Sequence, residues 1–246
     1  MRHHRAGERL MSRLCDRPAR TGARIWRYLD FPKLVSMLEE RALFFSRLSA
    51  FGDPFEGLYA QANLTRRNRS ALVSPGKVPE RFLKNSFLRH LDRTVVVNCW
   101  HLSDRESAAM WRIYGASEGA VCVQSTFGRL QECLPDVDIC RVRYIDYRVH
   151  PVPESHVAMP LLHKRHSFEH ERELRAFMLL SGRPYLETRE AENGYWRSVD
   201  LRQLVQRVYV APQAPRWIAD LVVKVLARYR LPVPVLHSAM DDAPLG

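Results

Sequence analysis

The sequence KRHSFEHERELR, residues 164–175, runs directly into the apolar sequence AFMLL, residues 176–180. A short apolar run bounded by charge is typical of a buried strand. Charge this dense beside a buried strand needs a chemical reason. Glu171 and Glu173 lie at the irregular start of the strand, where both carboxylates could reach one cleft and take two chemical roles. The stretch therefore predicts a buried strand and makes an enzyme site at its start the first functional hypothesis.

Strand-like and helix-like segments alternate on both sides of this stretch. Apolar or alternating runs predict strands at residues 25–28, 43–46, 94–100, 120–124, 139–147, 208–210 and 233–236, the last two as edge strands. Helical spacing predicts helices that begin near Asp30, Pro79, Ser125 or Thr126, and Pro215, and a further helix after a capping box formed by Ser103 and Glu106. Residues 148–163 contain three prolines and are expected to form a mobile flap.

This pattern predicts one α+β domain over residues 24–240, with a mixed or antiparallel central sheet flanked by helices. Residues 1–23 form a basic arm that is expected to be disordered, and residues 241–246 form a tail. The formal net charge of the chain is +11, and the arginines of the arm supply much of the excess. If the arm turned helical on an anionic partner, it would present a basic stripe.

Composition narrows the class of protein. The chain has 246 residues, and 46% of them are hydrophobic, which is typical of a soluble globular protein. No apolar run approaches the roughly 20 residues of a membrane-spanning helix, so we expect no membrane partner and a cytoplasmic location. The five cysteines are odd in number and include no Cys-x-x-Cys pair. That pattern suits a reducing compartment and predicts no zinc site of the usual spacing.

Three groups of motifs resemble a large bacterial family known as domain of unknown function 2971. The first group is WRY (residues 26–28) with DPFE (53–56), and the second is CWH (99–101) with ESAAMW (106–111) and YG (114–115). The third is KRHSF (164–168) with Glu171, Glu173 and Arg175. The middle group is the most specific of the three. The family name implies no activity.

A second, looser resemblance does imply an activity. An arginine on the first predicted strand (Arg27), a Ser-Thr pair after a later strand (Ser125, Thr126) and a Glu-x-Glu at a further strand (Glu171, Glu173) are similar to the arginine, serine, glutamate pattern of ADP-ribosyltransferases. The resemblance implies a related fold, NAD as the cofactor, and a nucleic acid or protein as the acceptor. A toxin or phage-defence role would fit on analogy.

The same resemblance assigns roles to individual residues. Glu173 would hydrogen-bond the ribose of NAD and stabilise the oxocarbenium-like cation that forms when nicotinamide leaves. Glu171 would be the base that deprotonates the acceptor, and Arg27, with Tyr28 beside it, would hold the diphosphate. Ser125 would support the site, together with Thr126. Further candidate site residues, with no role in that scheme, are Asp53, Glu56, Trp100, His101, Glu106, Lys164 and Arg175.

Several other interpretations of these residues stay open. The acids Asp53, Glu56, Glu171 and Glu173 could hold Mg²⁺ while Lys164 orients water, as in a metal-dependent nuclease. The motif HSFEH, residues 166–170, could place two imidazoles on one helix face as zinc peptidases do, but it lacks a suitable third ligand, so no metal site is expected.

Two interpretations need no catalysis. The arm and the arginines at residues 66, 67 and 69 could grip nucleic-acid backbones, which would make the protein a non-catalytic binding module. Glu171 and Glu173 could also form no more than a surface ladder with Arg172 and Arg175.

Overall fold

The computed structural model describes residues 15–63, 91, 93–114, 119–180 and 187–241. Its strands are β1 (Arg24–Leu29), β2 (Ala42–Arg47), β3 (Val95–Leu102), β4 (Val121–Thr126), β5 (Asp138–Arg141), β6 (Arg143–Ile145), β7 (His163–Arg165), β8 (Glu173–Leu179), β9 (Thr188–Ala191), β10 (Gly194–Ser198), β11 (Arg207–Val210) and β12 (Val235–His237). Its α-helices are α1 (Phe31–Glu40), α2 (Ala108–Tyr114), α3 (Phe127–Cys133), α4 (Leu201–Leu204) and α5 (Arg216–Arg228). Short 3₁₀ helices cover Leu48–Ala50, Met159–Leu162, His166–Glu171 and Ala239–Asp241. The basic residues 66, 67 and 69 and nearly all of the helix predicted from Pro79 lie outside the described residues.

The described strands form one large, mostly antiparallel sheet and a small parallel pair, β6–β7. Strands follow the order β12-β11-β4-β1-β3-β2-β10-β9, and β8 pairs with both β3 and β5. Helices pack against this sheet, so the prediction of a mixed α+β fold with a mixed or antiparallel sheet is confirmed.

The sheet splits at β3. Along one edge β3 pairs with β8 from Val95 to His101. Its other edge is shared, because β2 pairs with Val96 and Val97 near its start whereas β1 pairs with His101 and Leu102 at its end. Between these two contacts, residues 98–100 have no strand partner on that edge among the described strands. The two half-sheets β12-β11-β4-β1 and β2-β10-β9 diverge from this gap, and α1 connects them.

The sequence explains why β3 and β8 lie in the middle. Six of the eight β3 residues and six of the seven β8 residues are buried. Strands covered on both faces read as continuous rather than alternating apolar runs. The VVV run at residues 95–97 and the AFML run at residues 176–179 are of this kind.

Two apolar cores cover the sheet. The larger packs the helices against it, and the smaller includes Val152, Met159, Leu161 and Leu162 together with Phe177 of β8. The expectation of a mobile flap at residues 148–163 does not hold for residues 158–163, which are buried as Val152 is, whereas residues 148–151 and 153–155 are exposed. The prolines make this segment irregular, and its buried apolar side chains anchor it to the sheet.

The segment before β1 is fastened to β5. Cys15 forms a disulfide with Cys140, and the Asp16 carbonyl accepts a 2.7 Å hydrogen bond from the Arg141 amide. This disulfide differs from the expectation of a reducing compartment, which the odd cysteine count had favoured. Among the described residues, no helix is both long and apolar enough to cross a membrane.

Four local predictions are corrected. The strand predicted at residues 208–210 is not an edge, because β11 pairs with β4 and β12. No strand is predicted between residues 181 and 199, yet these residues include the hairpin β9–β10. Ser103 and Glu106 do not form a capping box, since the amide of Met110 donates to the Ser107 hydroxyl and α2 begins at Ala108. Trp217 follows the apolar spacing of the helix predicted from Pro215, but it is 59% exposed.

Candidate active site

A cavity of about 470 Å³ lies at the split of the sheet. Its walls come from β1, α1, β2, β3, α2, β7 and the residues that lead into β8. Most of the lining is apolar or aromatic, and several charged side chains interrupt it. Of the predicted site residues, those that line the cavity are Arg27, Tyr28, Trp100, His101, Lys164, Glu171 and Glu173.

Arg27 occupies the gap in the sheet. Its guanidinium donates to the carbonyl of Cys99 at 3.2 Å and lies 5.9 Å from the centre of the Trp100 ring. Burial lowers the pKa of Arg27 to about 10, so the side chain remains a cation at neutral pH. No ion pair joins Arg27 to a carboxylate among the described residues. A guanidinium has five N–H donors, so Arg27 keeps donors for an anionic ligand.

Side-chain hydrogen bonds close the rest of the gap. The Asn98 amide donates to the carbonyl of Phe44 at 2.8 Å and accepts from the Trp100 indole at 2.7 Å. The free edge of β3 is therefore tied to β2 by Asn98 and bonded to β1 by Arg27. Both ties hold the cavity walls at a fixed separation.

Glu173 opens β8 and is buried beside Arg175. Its two carboxylate oxygens accept hydrogen bonds from Nε and a terminal nitrogen of Arg175 at 2.8 and 2.7 Å. Burial alone would raise the pKa of Glu173, but the charges of Arg175 and Lys164 outweigh it and lower the pKa to about 2. The carboxylate is therefore ionised at neutral pH. Arg175 itself has no exposed surface and does not line the cavity.

Lys164 joins the acids into one charge cluster. Its ammonium lies 2.6 Å from Glu171, 3.5 Å from Glu56 and 3.6 Å from Glu173. Glu56 also lies 2.7 Å from Arg175, as an ion pair without hydrogen-bond geometry. We call Glu56, Lys164, Glu171, Glu173 and Arg175 the charge cluster. Three carboxylates against two cations give it a formal charge of −1.

The pKa shifts in the cluster have opposite signs. Burial raises the pKa of Glu171, and the nearby Lys164 offsets only part of this effect. Burial would lower the pKa of Lys164, but Glu173 and Glu56 raise it above its usual value. The side chains of Lys164, Glu171 and Glu173 all have little exposed surface. This excludes the interpretation of Glu171 and Glu173 as an exposed surface ladder.

His101 and Tyr28 line the cavity next to the cluster. His101 lies directly opposite Glu173 in the β3–β8 ladder, and its Nδ1 is 2.6 Å from the carbonyl of Glu171. Burial lowers the pKa of His101. The Tyr28 hydroxyl accepts from the amide of Ser107, and its ring meets Trp111 edge-on.

The remaining predicted residues lie away from the cavity. Ser125 is fully buried and donates to the carbonyl of Leu204, and Thr126 caps α3 by accepting from Arg129. Glu106 accepts from the Trp111 indole and the Ala239 amide. Asp53 pairs with Arg165 at 2.8 Å in the turn before Glu56. These positions suit structural roles, and the structure does not bring Ser125 or Thr126 to the other candidates.

The metal-based interpretations find little support. Within the described part of the chain, no group of three or more His, Cys, Asp and Glu side chains is arranged to hold a metal ion. The acids that would hold Mg²⁺ instead form ion pairs, Glu56, Glu171 and Glu173 with Lys164 or Arg175 and Asp53 with Arg165. The histidines at 166 and 170 are exposed on a 3₁₀ helix, not paired on an α-helix face.

Several residues that line the cavity are not predicted from the sequence. Lys33 and Met37 lie one turn apart on α1, a spacing that could have marked them as facing the same wall. Phe44 and Trp196 face each other across the pair β2–β10 with ring centres 4.9 Å apart. Tyr114 ends α2 and is half exposed at the cavity.

Comparisons with known proteins do not assign a family. No family model matches the chain, so the resemblance to domain of unknown function 2971 is not confirmed, and no curated protein matches it. Similar solved structures include three of DarT from Thermus sp. 2.9. The carba-NAD+ complex has a TM-score of 0.43 at 9% identity and covers 92% of this chain and 98% of that one. The NAD+ complex scores 0.40 at 10% identity, over 89% and 97%. The complex with ADP-ribosylated ssDNA scores 0.42 at 12% identity, over 92% and 98%. TM-scores below 0.5 do not establish a shared fold or activity.

Proposed function

We propose that this protein binds NAD in the cavity at the split sheet and transfers its ADP-ribose group to a macromolecular acceptor. The observation that carries the proposal is the meeting of Arg27, Glu171 and Glu173 in one cavity. Arg27 is a cation without an acidic partner among the described residues, whereas the two acids belong to a cluster with excess negative charge. Such a cavity suits a ligand that is anionic in one part and becomes cationic in another.

The anionic part would be the diphosphate. An arginine offers several N–H donors to phosphate oxygens and strengthens them with its full charge. Arg27 is held by the Cys99 carbonyl and the Trp100 ring, so its position is set before the ligand arrives. Preorganisation of this kind lowers the entropy cost of binding.

The planar rings of NAD would meet the aromatic lining. Phe44, Trp100, Tyr114 and Trp196 line the cavity. Its volume of about 470 Å³ lies in the usual range for small-molecule sites. Aromatic side chains stack favourably on nucleobases and on cationic rings.

The cationic part would be the ribose at the moment of reaction. The bond between ribose C1′ and the nicotinamide nitrogen breaks, nicotinamide leaves with the electron pair, and positive charge develops on the ribose. Glu173 remains ionised and buried, so its charge acts at low dielectric, where such stabilisation is strongest. Its oxygens accept from Arg175 but keep further lone pairs for a ribose hydroxyl.

The acceptor then attacks C1′ and must lose a proton. Two lining groups next to Glu173 could receive it, Glu171 and His101. The acceptor is a nucleic acid or a protein in this proposal, and water would serve in its absence, giving ADP-ribose and nicotinamide.

Labelling tests the proposal. The protein would be incubated with bacterial lysate and NAD labelled in its adenylate phosphate, and label on protein and on nucleic acid would be counted separately. We expect transfer by the wild type and a loss of about 100- to 1000-fold in Glu173→Gln, because one charge that stabilises the transition state is removed. Glu190→Gln is the matched control, since Glu190 forms an exposed ion pair with Arg47. Absence of both NAD binding and nicotinamide release in the wild type would refute the proposal.

We extend the same proposal to the bacterial cell, where the protein would act as a toxin or in phage defence. Expression of the wild type is expected to slow bacterial growth, because NAD is consumed or an essential acceptor is modified. Expression of Glu173→Gln to the same level should leave growth unchanged. Equal growth arrest by both proteins would contradict an enzymatic cause.

A further inference from the structure

We infer that His101, through its Nε2 atom, is the base that takes the proton of the attacking nucleophile; this rests on the proposed function. The catalytic roles drawn from the sequence gave that step to Glu171. The two groups are close together, and their hydrogen bonds distinguish them.

The first step concerns the proton on the His101 ring. Nδ1 is 2.6 Å from the carbonyl of Glu171, and a carbonyl oxygen can only accept. Nδ1 must therefore carry the hydrogen. In a neutral imidazole this leaves Nε2 unprotonated, with a lone pair available to receive a proton.

The second step concerns the surroundings of Nε2. It has no hydrogen-bond partner within the described chain, and it is not one of the fully buried, unpaired side-chain atoms. Since His101 lines the cavity, Nε2 is the part of the ring left for a ligand or a water molecule. A basic atom without a protein partner at a cavity wall can receive a proton without first breaking a bond.

The third step is the relation to the reacting centre. His101 and Glu173 are direct partners in the antiparallel pair of β3 and β8, so both side chains leave the same face of the sheet. If Glu173 stabilises the ribose cation, a base beside it faces the atom that attacks C1′. Glu171 is less free, because its carboxylate is held 2.6 Å from the Lys164 ammonium.

The charged and titratable groups around His101 favour its neutral form. Burial lowers its pKa, the hydrogen bond to Glu171 opposes the shift, and the nearby side chains of Arg172 and His170 add to it. The charged and titratable groups that face His101 come from three neighbouring parts of the chain. They are Tyr28 from β1, Glu173 from β8, and His170, Glu171 and Arg172 from the segment between β7 and β8. With its pKa below 6.5, His101 is ready to act as a base at neutral pH.

The proton balance of the step is simple with water as the nucleophile. Water adds to C1′ as nicotinamide departs, one O–H bond of that water breaks, and its proton forms a bond to Nε2. The products are ADP-ribose, nicotinamide and an imidazolium, which returns the proton to solvent. No oxidant, reductant or metal takes part.

The test measures nicotinamide release from NAD in buffer, so it needs no identified acceptor. In His101→Asn the shorter amide can still donate to the Glu171 carbonyl, but nothing replaces Nε2. We expect kcat to fall about 100-fold with the Kd for NAD within twofold of the wild type. His163→Asn is the matched control, because His163 is also buried with Nδ1 on a main-chain carbonyl, that of Met159, but does not line the cavity.

The pH profile supplies a second readout that a structural role would not move. The base must be neutral, so wild-type kcat should fall as pH drops through the lowered pKa of His101, below pH 6.5. His101→Asn should lose this limb, and Glu171→Gln should keep it. A wild-type rate without any loss on the acid side, or His101→Asn with the full rate and limb, would overturn the inference. Failure of the wild type to release nicotinamide or bind NAD would instead remove the proposed function.

Discussion

Arg27 and Arg175 both lie at the middle of one sheet, the first partly buried and the second fully buried, yet their surroundings differ. Arg175 is surrounded by partners: two carboxylates, Glu173 and Glu56, and the carbonyl of Leu161. Arg27 has one carbonyl and one aromatic ring, and no carboxylate among the described residues. A buried charge with full pairing belongs to the protein's own stability, whereas one without an acidic partner is available to a ligand.

The same substitution at both arginines should separate these roles, and the larger effect is expected at Arg175. Arg175→Met leaves Glu173 and Glu56 buried without their main cation. Breaking a buried pair in this way costs about 3–5 kcal/mol in the free energy of unfolding. Denaturant unfolding would measure the loss.

Arg189→Met serves as the control for this measurement. Arg189 pairs with Glu40 at the surface, and exposed pairs contribute about 0–1 kcal/mol. Equal losses in the two variants would show that the charge cluster does not stabilise the fold.

Arg27→Met should affect binding rather than stability. Losing a charge-assisted contact worth about 1.5–3 kcal/mol weakens NAD binding about 10- to 150-fold. The free energy of unfolding without ligand should change by less than about 1 kcal/mol, because the variant loses one hydrogen bond but also a desolvated charge.

Titration calorimetry with NAD and denaturant unfolding measure the two quantities on one sample. Arg24→Met is the control on the same strand, since Arg24 is exposed and does not line the cavity. A variant at Arg27 that unfolds readily but binds NAD normally would reverse the comparison between the two arginines.

Ser125→Ala should have the smallest effect on the site. Its hydroxyl donates to the carbonyl of Leu204, so removal should cost about 1 kcal/mol of stability. NAD affinity should stay within twofold of the wild type, because the side chain does not reach the cavity. Thermal unfolding and calorimetry would check both values, and a large loss of affinity with normal stability would restore Ser125 to the binding site.

The sequence predicts most of the strands, but it does not predict which strands are neighbours in the sheet. Charge beside the apolar run of β8 identifies Glu171 and Glu173, and the resemblance to the arginine, serine, glutamate pattern identifies Arg27 on the first strand. Ser125 was assigned to the site from the order of residues along the chain. It pairs with Ile25 on the edge of β1 that faces away from the split, and only the sheet order reveals this.

Other features depend on long-range packing. The prolines of residues 148–163 predict a mobile segment. Several of its apolar side chains instead belong to the second core, and no local sequence pattern predicts that packing. The hairpin β9–β10 did have a local signal, the Asn193-Gly194 pair, although the turn residues are Glu192 and Asn193 and Gly194 already begins β10. A Cβ at Gly194 would lie 2.0 Å from the carbonyl oxygen of Phe45, so the close approach of β2 requires glycine there.

The disulfide between Cys15 and Cys140 also depends on long-range packing that the sequence does not predict. The two cysteines are 125 residues apart, and their count alone gave no reason to pair them. Their meeting depends on β5 joining β8, a pairing that brings Cys140 opposite Arg175.

A structure of the protein with a non-cleavable NAD analogue tests the central claim most directly. The ligand should lie at the split of the sheet, with diphosphate oxygens within hydrogen-bond distance of Arg27 and the nicotinamide ribose beside Glu173. An analogue bound elsewhere, or bound here with its diphosphate away from Arg27, would contradict the claim that the unpaired cation and the acidic cluster form one NAD site.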